Sequence, residues 1–388
     1  MSGPGEDDAD SVFRRLEGAL HRTDFPWSLC LVGEDPTIKL SRLTEGLRGD
    51  DNGDGKHVSS GFSYWGFGPA IAWARACGDP FYPVMYRSIQ AFASKWKRVL
   101  PELGDRRFHY VSLGVGTGAK DRIVLDDLRR RHGSLLYVPV DMSAEMLVLG
   151  VDRADHGLPH GQVLPVQLDF AEPHRVKALR ALLADLVGDQ PILFGLLGNT
   201  VANFDDDTGL LRTVALLLRS QDRLLLEAAT TSSLDMSAQA AGEYANSRHF
   251  KEFVTSALWH NTDLTVDTSC VRITGTRDAE RAIRVEANYH NGTDGTILLT
   301  LPNHSQVPFP PGQAIRLFLT RKYTAPGLTG MLDDCQLIRI GDGLIAAGDP
   351  FTVDLVVAGT TEAQGDITDR IWEPRPDGQR PSGRRTGR

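Results

Sequence analysis

The chain has 388 residues and a formal net charge of −8, which is length enough to bury a large core or two smaller ones. It has no run of Lys and Arg interleaved with aromatics, so nucleic acid is not an expected partner. Neither a signal peptide nor an apolar run of membrane-spanning length is present, so no membrane partner and a cytoplasmic location are expected. Residues 1–11, acidic and aperiodic, read as a mobile tail, and residues 12–95 as an N-terminal helical segment. Within that segment GDDNGDG, residues 49–55, marks a loop that lacks the closing Glu of a calcium loop. SGFSYWGFGP, which follows, holds an aromatic corner around Tyr64.

Residues 96–232 alternate strand and helix, as a doubly wound parallel sheet requires. FHYVSLGVGTGAK, residues 108–120, reads as a strand delivering a Gly-rich turn into a helix start. Gly114, Gly116 and Gly118 let backbone approach a ligand closely, and the N–H groups of a helix start favour electron-rich atoms. Thr117 and Lys120 belong to the same turn, and with Ala119 the run also fits the loose dinucleotide pattern G-x-G-x-x-G/A. SLLYVPVD, residues 134–141, is a continuous apolar run suited to a strand buried on both faces. It ends in Asp141, followed by Met142, and a carboxylate there takes a ribose diol in NAD and S-adenosylmethionine (SAM) sites alike.

QVLPVQLDF ends in Asp169 and Phe170, a pair suited to hydrogen-bonding an adenine amino group and packing the base. An acid at this third strand end is habitual in SAM methyltransferases and unusual in dehydrogenases. PILFGLLGNTVANF places Gly198, Asn199, Thr200 and Asn203 just past its apolar part, at the edge where substrate meets cofactor in an open α/β sheet. Asp205 to Asp207 read as caps of the following helix, and DRLLLEAA as the fifth strand.

After residue 232 the texture changes. DMSAQAAGEYANSRHFKEFVTSAL, with Tyr244, reads as helical, and CVRITGT, RAIRVEANYH, TILLTLPN and AIRLFLTRKYT read as four strands. Residues 233–320 are thus an expected α+β insertion, residues 321–361 a return to the core ending in the strand FTVDLVVAG, and 362–388 a disordered tail. The insertion and residues 12–95 together form a substrate lobe and cofactor lid, with the active site in the crevice between lobes. The four cysteines (Cys30, Cys77, Cys270, Cys335) and eleven histidines show no ligand spacing, so no metal is expected.

Four of these motifs resemble the histidine-specific, SAM-dependent N-α-methyltransferases of ergothioneine biosynthesis. LGVGTGAK is similar to that family's LGSGTxxK, VPVDMSAEML to its YVPVDISxxxL, LDF to its acid-Phe pair, and LLGNTVANF to its FLGSTIGNF. Tyr64, Gly68, Phe81, Tyr82 and Pro83 fall where the family has a Tyr, a Gly and a Tyr-Tyr-Pro helix start. The resemblance implies a class I, Rossmann-like methyltransferase sheet and SAM as cofactor, leaving S-adenosylhomocysteine (SAH). It also implies a small-molecule amine substrate and a monomer or homodimer.

By the same resemblance Tyr82, Gly114, Gly116, Thr117, Gly118, Lys120, Asp141, Met142, Asp169, Phe170, Gly198 and Asn199 attend the cofactor, Lys120 facing its carboxylate. Tyr64, Thr200, Asn203 and Tyr244 attend the substrate. An amino-acid carboxylate needs neutral donors beside a cationic cofactor, which suits Asn203 with Tyr244 as helper. The competing reading of Asn203 is a turn residue satisfying its own backbone. In IRLFLTRKYT the chain departs from the family, placing Phe318 where a Glu, and Thr320 where a Ser, read the histidine imidazole. Phe318 cannot accept an imidazole N–H, and an unmatched buried donor costs about 1–3 kcal/mol. An amino acid or derivative other than histidine, more apolar at its far end, is therefore the expected acceptor. An oxygen or carbon acceptor, other SAM chemistry, and a non-catalytic SAM-binding module are the alternatives. An NAD oxidoreductase is disfavoured by Asp169-Phe170 and by the lack of an evident hydride-site residue set.

Overall fold

A computed structural model describes residues 30–31, 36–49, 55–154, 162–301, 303–341 and 350–361. Both expected tails, and residues 50–54 of the Gly/Asp loop, lie outside these residues. The short strand β1 (Cys30–Leu31) is followed by helix α1 (Pro36–Arg48), strand β2 (Lys56–His57), and helices α2 (Phe67–Cys77) and α3 (Pro83–Val99). In α3, Val84, Met85, Ser88, Phe92, Trp96 and Val99 are buried, a stripe at helical spacing that faces the core. Its first turn begins with Pro83, whose missing N–H is no loss there.

The core alternates β3 (His109–Leu113), α4 (Ala119–His132), β4 (Tyr137–Asp141), α5 (Ala144–Ala154), β5 (Val166–Gln167), α6 (Pro173–Val187), β6 (Ile192–Leu196), α7 (Asp207–Ala215) and β7 (Arg223–Thr231). β3, β4 and β6 are buried at every position, as strands covered by helices on both faces must be. They pair in parallel in the order β1-β5-β4-β3-β6-β7. The carboxyl ends of β3, β4, β5 and β6 therefore open on one edge.

The segment read as helical after residue 232 holds two helices, α8 (Ser237–Ala245) and α9 (Arg248–Asn261). Ser247 separates them because its Oγ accepts from Phe250 N at 2.9 Å, starting a new helix, while donating to Asp79 Oδ2 at 2.6 Å. Five strands follow rather than four: β8 (Val271–Asp278), β9 (Ala282–His290), β10 (Ile297–Thr300), β11 (Gln306–Phe309) and β12 (Ala314–Tyr323). The additional strand, QVPF, contains a Pro that its position at the edge of a two-stranded β10–β11 sheet tolerates. α10 (Ala325–Asp334), β13 (Leu337–Ile340) and β14 (Phe351–Thr360) complete the described chain.

β7 is longer than its neighbour β6, and this joins the insertion to the core. β14 runs antiparallel along one edge of β7 from Leu224 to Thr231. On the other edge β6 pairs only as far as Leu226, and β12 takes over at Tyr323↔Thr230. β9 pairs antiparallel with β12 and β8 antiparallel with β9, so the inserted sheet continues the core sheet. β8 alternates covered and exposed positions from Val271 to Thr276, with only Val271 fully buried, as an edge strand with one wet face does. No helix among the described residues is long and apolar enough to cross a membrane.

Candidate active site

The turn after β3 has Gly114, Gly116 and Gly118 at φ of 73°, 56° and 70°, a region that side chains rarely adopt. At Gly118 a Cβ would also sit 2.1 Å from the backbone oxygen of Gly150, so only glycine allows the turn to pack on α5. At Gly114 the nearest atoms to a built Cβ are Thr200 Cγ2 at 3.4 Å and Phe170 Cζ at 3.6 Å. The ends of the first, third and fourth core strands thus converge on one point. A cleft opens there, walled by this turn, by Asp141 and Met142, by Asp169 and Phe170, and by Gly198, Thr200 and Asn203. Thr117, Lys120 and Tyr64 line it too.

Burial pushes the Asp141 carboxyl up to about 7, against the pull of the backbone N–H groups of Ser143, Gly116 and Met142. Ser143 N donates to its Oδ1 at 3.0 Å. Asp169 Oδ1 accepts from Ala171 N at 3.0 Å, and the Phe170 ring packs 6.3 Å from Phe204. Lys120 is buried and ion-paired to Glu227, which is fully enclosed, and its Nζ also donates to Ser88 Oγ at 2.6 Å. Ser88 Oγ donates to the second Glu227 oxygen, and Gly198 N donates to Oε2 at 2.7 Å. With two of its three donors so engaged, the Lys120 ammonium retains one for a ligand in the cleft.

Asn203 ends the 3-10 turn Thr200–Asn203, which Thr200 closes by donating to Leu197 O at 2.6 Å. Its carboxamide makes no hydrogen bond to the described residues and lines the cleft. Across the cleft stand Tyr64, Trp73, Cys77, Met85 and Ile89 of the N-terminal helical segment. Burial raises the Tyr64 phenol above its ordinary range and the Cys77 thiol to about 12, so both are neutral.

Other residues expected at the site lie behind this wall. Asn199, expected at the cofactor, instead accepts from Ala229 N at 2.7 Å and donates to Thr320 Oγ1 at 3.0 Å and Arg321 O at 3.2 Å. It is thereby consumed in joining β6, β7 and β12. Tyr82, Tyr244 and Phe318 do not line the cleft but form an aromatic cluster with Phe250, whose ring lies 4.9, 5.3 and 5.3 Å from theirs. Phe253 links that cluster to Tyr64, at 5.1 Å. Thr320 is buried, and its hydroxyl receives Asn199. The aromatic side chains are drawn to one another because they bury more area together than facing a wet cleft. Asp205 and Asp207, expected as caps, are instead ion-paired to Arg316 and to Arg281 and Arg321; only Asp206 caps α7. No group of metal-ligating side chains is found among the described residues.

The sequence profile of a family described as histidine-specific, SAM-dependent methyltransferases matches residues 42–340. The chain belongs to that family. Among curated proteins, no sequence matches it. Similar solved structures include the CcbJ methyltransferase of Streptomyces caelestis, at 15% identity and a TM-score of 0.33 over 66% of this chain and 84% of that one. The amino pentose methyltransferase CalS10 of Micromonospora echinaspora aligns at 14% identity and a TM-score of 0.34, over 75% and 96%. The magnesium protoporphyrin IX methyltransferase ChlM of Synechocystis aligns at 10% identity and 0.37, over 75% and 94%.

As a member of this family the protein is a SAM-dependent methyltransferase on a class I sheet, and its residues fit the cofactor. The buried Asp141 carboxylate stands on the wall of the cleft and suits the two hydroxyls of a ribose. Asp169 and Phe170 offer an acceptor and a ring to a base, and Lys120 offers a cation to a carboxylate. Glu227 was missed by sequence reasoning. Its signal, an acid alone in the apolar run LLLEAA, was present but unread.

Proposed function

We propose that the protein is a biosynthetic N-methyltransferase of a small amino acid or amino-acid-derived metabolite other than histidine. The observation that carries this reading is the unengaged Asn203 carboxamide on the wall of the SAM cleft. Bound SAM supplies a methyl group already activated by its sulfonium, so what remains for the protein is alignment and exclusion of water. Asn203 can donate to an acceptor carboxylate without bringing a charge close to the cofactor. The wall of Tyr64, Trp73, Met85 and Ile89 disfavours an ammonium ion by desolvation, which keeps the attacking lone pair available. Tyr64, itself neutral, orients the amine as a hydrogen-bond partner.

Tyr82, Tyr244 and Thr320 support this wall from behind. Phe318 is packed on Phe250 and Phe253 and does not line the cleft, so no acceptor for an imidazole N–H stands where the family has its Glu. The family's description names histidine, and the departure at Phe318 is what argues for a different acceptor. Incubation with methyl-labelled SAM and a pool of amino acids and derivatives, read by mass spectrometry, tests the proposal. Label on an amine other than histidine supports it; label on oxygen or carbon only, or on histidine only, rejects it.

A further inference from the structure

The turn that carries Thr200 and Asn203 is gripped by one strand of the insertion, β12. Its Arg321 side chain is buried beneath the turn. Arg321 Nη1 donates to Phe204 O at 2.5 Å and to Ala202 O at 3.5 Å, and Nη2 donates to Asp205 O at 2.9 Å. These carbonyls lie on both sides of Asn203 in the chain. Behind the guanidinium, Nε donates to Asp278 Oδ2 at 2.5 Å, and Asp207 Oδ2 lies 3.5 Å away. Its charge is thus compensated, and its plane is fixed from the side away from the turn. Two further residues of β12 act on the same segment: Thr320 receives Asn199, and Arg316 grips the Asp205 carboxylate, with Nη2 2.9 Å from Oδ2.

We infer that Arg321 is a positioning residue for the acceptor site, setting the backbone of residues 202–205 and with it the direction of the Asn203 carboxamide. The inference rests on the reading of Asn203 as the acceptor's partner. Because the carboxamide makes no hydrogen bond among the described residues, the backbone sets the direction from which it enters the cleft. Arg321 does not line the cleft, so its action is indirect. Holding several carbonyls in one plane needs the rigid five-donor fork of an arginine; a lysine supplies the charge but not the fork.

The test is made on the full chain labelled with ¹⁵N-asparagine, with and without SAH. The Asn203 side-chain amide pair is identified as the one lost in Asn203→Ala. In Arg321→Lys that pair is expected to shift or broaden away. The pair of Asn291, whose Nδ2 donates to Phe309 O at 2.7 Å outside the cleft, is expected to stay in place. The SAH dissociation constant is expected to stay within about twofold, as for sites without shared partners. A merely structural role for Arg321 would disturb both amide pairs together.

If Arg321→Lys does not fold, Asp278→Asn replaces it, because it loosens Nε at a partly exposed position and should move the Asn203 pair less but in the same manner. An Asn203 pair unmoved in whichever variant folds overturns the inference. Turnover that ignores Asn203→Ala rejects the acceptor role of Asn203, whereas an Asn203 signal that ignores Arg321 rejects only the clamp.

Discussion

Glu227 Oε2 accepts from both the Lys120 ammonium and the backbone N–H of Gly198, so one buried carboxylate fixes the cation and the substrate-side edge of the cleft together. Removing one member of a buried ion pair strands the other, at about 3–5 kcal/mol. Glu227→Ala is expected to lose stability of that order in denaturant titration. SAH affinity should fall with it, measured by calorimetry at a temperature where the variant is folded. Stability near wild type would mean that Lys120 does not need this partner.

Asp141 gives a pH dependence with a definite sign. Its carboxyl is raised by burial to about 7 in the folded chain, against about 3.9 for an unperturbed Asp. Without ligand, folding takes up a proton between these values, so the Asp141 contribution to stability is lost as pH rises from about 4 to about 7. Binding runs the other way, because a ribose diol needs the ionised acceptor. SAH should therefore bind roughly tenfold more weakly at pH 6 than at pH 8. Asp141→Ala should abolish binding at both, and an equal affinity at both pH values in the wild type would contradict the assignment.

Gly118→Ala tests the turn itself. A side chain there meets a positive φ, which costs about 1–3 kcal/mol, and a Cβ 2.1 Å from Gly150 O, where only backbone can give way. Thermal unfolding should shift down, and SAH binding should fall more than stability does, because the same turn forms the cradle.

Replacement of Asn203 by Ala is expected to leave SAH binding intact and to raise the acceptor KM about tenfold to a hundredfold, the effect of one hydrogen bond to a charged group. An unchanged KM removes Asn203 from the acceptor site.

Phe318→Ala opens a cavity among Phe250, Phe253 and Tyr244. The expected loss in chemical denaturation is about 3–5 kcal/mol. A loss below about 1 kcal/mol would mean that the cluster relaxes around the missing ring.

What the sequence showed of the site is what local backbone chemistry dictates. A turn that needs three glycines, and acids just past apolar runs, can be read without knowing the fold, and these are the residues that wall the cleft around Gly114, Asp141 and Asp169. The arrangement of Tyr82, Tyr244 and Phe318 was not legible, because rings from the residue before α3, from α8 and from β12 choose one another only after the chain has folded. Asn199 and Asn203 lie four positions apart on one turn and look alike in sequence, yet one is locked by Ala229 and Thr320 and the other is left to the cleft. Arg321 is separated from the turn that it holds by over a hundred residues, and no spacing rule reaches that far. The strand β11 was missed because its four residues include a proline.

The most direct test of the central claim is mass spectrometry of a mixed pool of amino acids and derivatives, histidine included, after incubation with methyl-labelled SAM. One to three labelled methyl groups on the amine of an acceptor other than histidine are predicted. Methylated histidine as the sole product, or no labelled amine despite tight SAH binding, would contradict it.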